Sequence, residues 1–476
     1  MTVSLVTRHQ EPSYVPLGLL YLKAALVEAG VAAERDVHVL EFAPAACADE
    51  IADAIVATGP AVVGLSCYVW NVTALLAVAR AIKHRRPDTL VVAGGPEVGP
   101  VGPDLLRRHH AIDVVVRSEG EVPLPEIVAA RRAKTSLADV AGIDVRVDQQ
   151  IVSTPDAPLI DDLNGIPSPH LARYADYTGR VVCFETQRGC VFRCNFCFYN
   201  KDYSVRNRRF DLERVKEELL FWLGQDVAEI YFMDPVFNLN PARTREICRF
   251  LAGHNHRRIP LHAEIWAEFV DDEMAALMRA ASFVYLEVGL QTTDATALAT
   301  AERRLKLQKF VEGMAHLKHH GLTTQLQLIH GLPGDTRAAF RRSLDFAMSL
   351  DPDQLAVFPL MVLPGTELWH KAAALKLSFD PEPPYFARSH LSMTEEDFAY
   401  GRRAIAACRV LESSRTIRFL AREPGLTFSA IVDAWLDWAP GDAPDLTLIP
   451  EFVNHLCAEH GLPRGFYERV AARERA

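Results

Sequence analysis

Three cysteines, Cys190, Cys194 and Cys197, fall within eight residues in the run Glu185-Thr-Gln-Arg-Gly-Cys190-Val-Phe-Arg-Cys194-Asn-Phe-Cys197-Phe-Tyr. Three thiolates this close can hold one compact metal centre. They are one ligand short of the usual closed protein set for a zinc ion or a four-iron cluster. An open coordination position is what a reactive centre needs and a structural one avoids. The competing reading is a zinc site completed by a distant His or Cys, and the chain has several of each.

Other residues able to do chemistry fall at the ends of candidate strands. Asp234 lies in Met233-Asp234-Pro-Val-Phe-Asn-Leu-Asn240, where it can accept hydrogen bonds from a ligand, order a loop, or cap a helix. Glu264 sits inside the apolar run His-Ala-Glu-Ile-Trp, with Glu268 four residues on. Glu287-Val-Gly-Leu-Gln291-Thr ends another strand. Arg303 stands beside Arg304, and Leu328-Ile-His-Gly331-Leu332-Pro-Gly334-Asp-Thr336 forms a glycine-bearing turn. Nearer the N-terminus come Ser66-Cys67-Tyr68, Gly94-Gly95-Pro96-Glu97 and Ser118-Glu119-Gly120-Glu121. Adjacent glycines let backbone come close to a bulky ligand, although turn-making alone also explains them.

The elements that must position these residues divide the chain into four stretches. Residues 1–135 alternate apolar strands (Val3–Val6, Val37–Phe42, Ala61–Ser66, Thr89–Ala93, Asp113–Val116) with helix-like segments. This is the pattern of a doubly wound, Rossmann-like α/β domain with its binding edge at the strand C-termini. Residues 136–174 read as a linker, with a hairpin over Val145–Val152 and a turn-rich connector from Pro155 to Pro169. Residues 175–370 carry six candidate strands with amphipathic helices between them, which suits a partial (β/α)6 barrel with active groups at the strand ends. Residues 371–476 read as mainly helical. There Trp435 and Trp438 read as core, and Cys408 and Cys457 as buried small hydrophobes.

Composition excludes some classes. Nine cysteines in 476 residues do not make a disulfide scaffold. The N-terminus lacks the pattern of a secretory signal, and no stretch is long and apolar enough to span a bilayer, so a cytoplasmic protein is expected. A formal charge of −10 without basic clusters argues against a nucleic-acid partner. The short basic run Val205-Arg-Asn-Arg-Arg209 suits either an anionic ligand or a solvated helix approach.

The CxxxCxxC spacing, with the aromatic Phe196 directly before the last cysteine, resembles the cluster loop of the radical S-adenosylmethionine (SAM) superfamily. The resemblance implies that Cys190, Cys194 and Cys197 bind three irons of a [4Fe–4S] cluster, with SAM on the fourth. It extends over about residues 1–370. Asp234 is similar to the family's Asp-x-x-Phe segment, Glu287–Thr292 to its Gly-Leu-Gln-Ser segment, and the 329–336 turn to the turn near which adenine stacks. It implies SAM contacts from Asp234, Glu264, Gln291, Arg303, Gly331, Leu332 and Gly334. The first domain resembles the cobalamin-binding domain found before many such barrels, with Ser66, Tyr68, Gly94, Gly95 and Glu119 toward that cofactor.

This sequence departs from the Asp-x-His-x-x-Gly loop of the tail-inserting form. His9 has neither the matching Asp nor the Gly spacing and reads as a loop residue. Tyr68, Trp70 and Asn71 are candidate neighbours of the cobalamin face. The implied activity is methyl transfer to a small metabolite or natural-product intermediate, with a flavodoxin- or ferredoxin-type electron donor. Transfer of SAM's 3-amino-3-carboxypropyl group, for example to trivalent arsenic as in arsinothricin formation, and a cobalamin-free radical rearrangement are the alternative enzyme readings. On strand alternation Cys183 would point near the site. A non-enzymatic metal protein would need neither the 329–336 turn nor several domains.

Overall fold

In a computed structural model, residues 1–200, 206–439 and 445–462 are described. Val205 of the basic run lies outside them. The first sheet contains β1 (Val3–Arg8), β2 (Val37–Phe42), β3 (Val62–Ser66), β4 (Leu90–Gly94), β5 (Val114–Val116), β6 (Ile143–Val147) and β7 (Gln150–Ser153). Their order is β2-β1-β3-β4-β5-β6-β7. The first five pair in parallel, in the 2-1-3-4-5 order of a doubly wound sheet. Alternate residues feed two apolar layers. Val3, Leu5, Val62, Val92 and Val114 face one set of helices; Val6, Val63, Leu65, Val91 and Val115 face the other. Burial on both faces is why these strands are almost continuous Val and Leu.

The hairpin read from sequence as part of the linker is β6 and β7, joined antiparallel to the sheet at β5. Arg117 fixes the junction, donating to Ile143 O at 3.0 Å and Asp144 Oδ1 at 2.6 Å. A two-stranded hairpin is marginal alone, and the edge of β5 gives it a partner.

The second sheet begins with β8 (Val181–Phe184). A short ribbon follows, β9 (Gln187–Arg188) against β10 (Arg208–Arg209). Next come β11 (Glu229–Phe232), β12 (Leu261–Ile265), β13 (Phe283–Gln291), β14 (Thr324–His330) and β15 (Gln354–Pro359). The order β15-β14-β13-β12-β11-β8, all parallel, is the expected six-stranded partial barrel. Val182, Phe184, Ile230, Phe232, Leu261, Ala263, Leu286 and Val288 are fully buried in the core beneath the helices. The other register holds Cys183, Tyr231, His262 and Tyr285 in one row.

A two-stranded ribbon, β16 (Ser378–Phe379) with β17 (Ala387–Ser389), opens the tail, the last stretch, read from sequence as mainly helical. The helices Glu395–Leu411, Phe428–Trp438 and Ile449–Glu459 place Ala404, Ile431, Trp435, Phe452 and Cys457 in the same core cluster as the barrel. The tail is thus packed as barrel wall. Cys408 and Trp435 are buried there, as small hydrophobe and core aromatic.

The first domain docks edge-on. Val15 N donates to Val181 O and Val181 N to Ser13 O, each at 3.0 Å, so residues 13–15 lengthen the sheet beside β8. Arg180 then donates to Glu41 and to Tyr14 O. Glu41 also takes His9 at 2.8 Å, so the His9 ring is committed to this hinge.

Candidate active site

The cysteine loop is anchored at both ends. At its start the buried Asp234, just past β11, accepts Thr186 N at 2.7 Å, Thr186 Oγ1 at 2.6 Å and Gln187 N at 3.1 Å. Burial raises its carboxyl to about 7 despite these donors. Both Asp234 oxygens are therefore used within the chain, to set the loop rather than to reach outward. Gly189, at φ +86°, turns the backbone into Cys190. Toward the end of the loop, Asn195 N donates to Ala301 O at 3.0 Å, Asn195 Nδ2 to Thr300 O at 2.6 Å, and Leu368 N to Asn195 O at 2.9 Å.

Within this frame the three thiols form no disulfide, and burial first, then the neighbouring Cys194, Cys190 and Glu264, pushes the Cys197 thiol up. Arg303 points Nη1 at Cys194 Sγ, 3.6 Å away, donates to Gly289 O, and lies 4.4 Å over the Trp266 ring. Trp266 stacks on Phe192 of the loop at 3.9 Å. Three clustered thiols with a guanidinium over one sulfur are a donor set that fits an anionic, thiolate-bound iron cluster.

Beside them is a place for a polar ligand. A Cβ on Gly289 would come within 2.6 Å of Gln291 Nε2 and 3.5 Å of Arg303 Nη2. Among the described residues Gln291 Oε1 and Arg303 Nε are buried without a hydrogen-bond partner. Orphaned buried polar atoms are costly unless a ligand or water completes them. Gln291 itself adopts φ +71°, at a register shift in β13. Glu264 also belongs to this environment; burial, then the neighbouring Glu287, raises its carboxyl to about 7. Tyr231 Oη donates to it at 3.4 Å.

The 329–336 turn is built tightly. Gly331 and Gly334 both have φ +92°. A Cβ on Gly331 would strike the Phe398 ring at 2.5 Å, and one on Gly334 would meet Thr300 Oγ1 at 3.0 Å. Leu332 is fully buried in an apolar cluster with Ala297, Val362 and Phe398, against which Phe196 packs. The resemblance implied a SAM contact from Leu332; the structure uses that side chain to bind the turn to the tail.

A cavity of about 520 Å³ opens between the two sheets' C-terminal edges. Tyr68, Gly95 and Glu119 line it from the first domain, and Arg188, Gly189 and Met233 from the barrel. Ser66 and Gly94 stand behind this wall: Ser66 O accepts Asn71 Nδ2 at 3.1 Å, and Gly94 O accepts Cys67 N at 2.8 Å. Of the two glycines, Gly95 is the one whose backbone demands it. Its φ is +108°, and a Cβ would lie 2.5 Å from Cys67 O. Tyr68 and Trp70 stack at 4.5 Å, with Trp70 about half exposed. A concave wall of backbone and aromatic rings fits a large planar cofactor.

Glu119 is the least available of the expected contacts. Its carboxylate takes Arg188 at 3.1 Å, Arg208 at 2.9 Å and Ile160 N at 3.0 Å. Arg188 also pairs with Glu121 and Glu185, each at 2.8 Å. This network, joining the first domain to the residue two before Cys190, escaped the sequence reading because its members are scattered along the chain. The barrel interior was missed for the same reason. There His262 donates to Glu229 at 3.2 Å and Glu287 at 3.0 Å, and Gln327 donates to Glu287 at 2.7 Å. Burial opposes the imidazole's charge, but the two carboxylates outweigh it and lift His262 to about 9. Period-two alternation of polar residues in β12 to β14 is the signal that would have found this row.

Two protein families match the chain: "B12 binding domain" over residues 3–128 and "Radical SAM superfamily" over residues 184–347. The cobalamin-dependent radical SAM methyltransferase TokK of Streptomyces tokunonensis is 30% identical over 339 residues, 67% of this chain and 49% of TokK. An uncharacterised methyltransferase of Pyrococcus horikoshii is 28% identical, with 76% of this chain and 79% of that protein covered. The chain thus spans about half the length of TokK. In fold it is similar to the radical SAM methyltransferase TsrM of Kitasatospora setae, with a TM-score of 0.67, 18% identity and 84% and 82% of the two chains covered. It is also similar to the cobalamin-dependent SAM radical enzyme OxsB, with a TM-score of 0.67, 14% identity and 97% and 75% covered. These domain matches carry a cofactor set of [4Fe–4S] cluster, SAM and cobalamin. By its two matched domains and its cysteine loop, the chain belongs to the radical SAM superfamily, in the branch with an N-terminal B12-binding domain.

Proposed function

We propose that this chain is a cobalamin-dependent radical SAM methyltransferase acting on a small metabolite or natural-product intermediate. The observation that carries the reading is the 520 Å³ cavity, which meets the B12-binding edge on one side and, on the other, Arg188, Gly189 and Phe198, the residues that flank the three cysteines. A methyl carrier and a radical-generating centre must both reach one substrate, and a shared cavity lets them. When bound, the cluster and SAM supply reductive C–S cleavage and cobalamin supplies the methyl group.

The chain's residues then have distinct work. Cys190, Cys194 and Cys197 hold the cluster. Gln291, Arg303 and Glu264 bind the polar groups of SAM, because two of them offer unpartnered buried atoms and the third an acceptor. Gly331 and Gly334 shape the adenine side with Phe196 beside them. Tyr68 and Gly95 meet cobalamin, backed by Ser66 and Gly94. Asp234, Glu119 and Leu332 are positioning residues. The stacked Phe192 and Trp266 rings shield the loop from water.

A flavodoxin- or ferredoxin-type protein supplies electrons. The charge of −10 disfavours a nucleic-acid substrate. Among the described residues no helix is long and apolar enough to cross a membrane. Functional boundaries follow the four stretches read from sequence, with the hairpin now counted with the first sheet.

Anaerobic reconstitution with methyl-labelled SAM and dithionite tests the proposal. Expected products are 5′-deoxyadenosine and S-adenosylhomocysteine, with cobalamin required. Formation of 5′-methylthioadenosine in their place overturns methyl transfer in favour of aminocarboxypropyl transfer. Cobalamin-independent turnover overturns it in favour of a rearrangement.

A further inference from the structure

On the outside of the barrel, three imidazoles surround one carboxylate. Asp272 opens the helix Asp272–Ala281, and His316, His319 and His320 lie at the end of the helix Leu307–His319. Asp272 Oδ1 lies 2.9 Å from His320 Nε2 and 3.7 Å from His316 Nδ1. Ligand atoms of Asp272, His319 and His320 all fall within 4.8 Å of one another. The His319 and His320 rings meet edge to face at 5.0 Å.

We propose that Asp272, His316, His319 and His320 form a binding site for a divalent transition-metal ion of the zinc type. Imidazole nitrogens with one carboxylate are borderline donors, suited to Zn2+ and poor for Mg2+ or Ca2+, which take oxygen ligands. His316 and His320 are four residues apart, so they lie on one face of the chain's helical path. A hydrogen-bonded pair would explain Asp272 and His320 alone. It leaves unexplained why two further imidazoles crowd the same carboxylate. The C-terminal end of the His-bearing helix favours a cation, while the N-terminal end of the Asp-bearing helix favours the carboxylate that would face it.

Ligand atoms up to 4.8 Å apart must draw together around a tetrahedral ion with Zn–N near about 2.0 Å. Exposed side chains do this by small rotamer changes. Asp272 and His316 are 64% and 37% exposed, so the site is also open to an entering ion. A bound ion would staple two helices of the barrel wall together.

The test uses untagged, cluster- and cobalamin-loaded protein under argon, titrated with zinc chloride by calorimetry. One zinc per chain is expected beyond the cluster iron, together with a rise in Tm. In H316A/H320A the affinity should drop about tenfold or more, with unchanged iron content and an unchanged Tm in EDTA. The milder H319N should lie between the two. Absence of zinc uptake by the wild type, or equal affinity in the double variant, overturns the site. A double variant whose Tm falls in EDTA while zinc still raises it by the wild-type amount does the same, leaving only a helix-linking ion pair.

Discussion

The two faces of the shared cavity are made from different materials. The first-domain face sets close backbone and rings, Tyr68, Gly95, Pro96, Gly99 and Pro100, beside the charged Arg117, Glu119 and Glu121. The barrel face carries Glu185, Arg188 and Arg208, and the barrel interior adds Glu264, Glu287 and His262, with Arg303 beside Cys194. A large preformed cofactor needs room and close backbone approach, which Gly95 permits. A small centre that moves electrons and breaks bonds needs groups oriented and tuned by field. The contrast predicts that substitutions on the barrel face abolish chemistry, whereas those on the first-domain face alter cofactor retention.

The largest effect is expected from the thiols. Replacing Cys190, Cys194 or Cys197 by Ala should reduce 5′-deoxyadenosine formation to background and lower bound iron, while circular dichroism stays native. Full iron and activity in the triple variant would break the comparison at its centre.

Cutting the seam between the faces comes next. Arg188→Met leaves Glu119, Glu121 and Glu185 without their common cation, in a setting where Arg188 is 13% exposed. Breaking such a buried pair costs on the order of 3–5 kcal/mol. Urea denaturation should show the loss, and cobalamin should elute more readily on gel filtration. Arg188→Lys should restore part of the stability.

A pH effect separates the barrel interior from the cavity edge. The His262 pKa is raised in the folded chain, so its contribution to stability is fully present below about pH 6.5 and is lost as pH rises through about 9. His262→Gln should flatten the fall in Tm over that window. Asp234 and Glu264 act in the same sense at lower pH. Their raised folded pKa values make stability decline from about pH 4 to about pH 7, after which the cost is constant. An unchanged Tm profile in the His262 variant would show that the interior row carries no charge coupling.

The smallest effects belong to the first-domain face. Gly95→Val must distort a backbone at φ +108° and should release cobalamin, with iron content unchanged. His9→Ala should retain the cobalt chromophore, since His9 is engaged by Glu41 at the docking seam. Release of cobalamin on changing His9 would reverse the assignment of that loop.

The sequence alone determined the two sheets, because continuous Val and Leu runs between helical stretches admit few arrangements. It also marked the cysteine loop, because all three cysteines lie on one short segment. Resemblance to the family's glycine-bearing turn marked Gly331–Gly334 as well. Tertiary structure decided the rest. It turned Asp234 inward to hold Thr186 and Gln187, buried Leu332 against Phe398, and tied Glu119 to two arginines. It also gave the Val145–Val152 hairpin to the first sheet and the tail helices to the barrel core. A side chain's type and neighbours in sequence say that it can accept a hydrogen bond or fill space. Which partner it takes depends on what the fold brings within about 3 Å, and those partners lie tens of residues away in the chain.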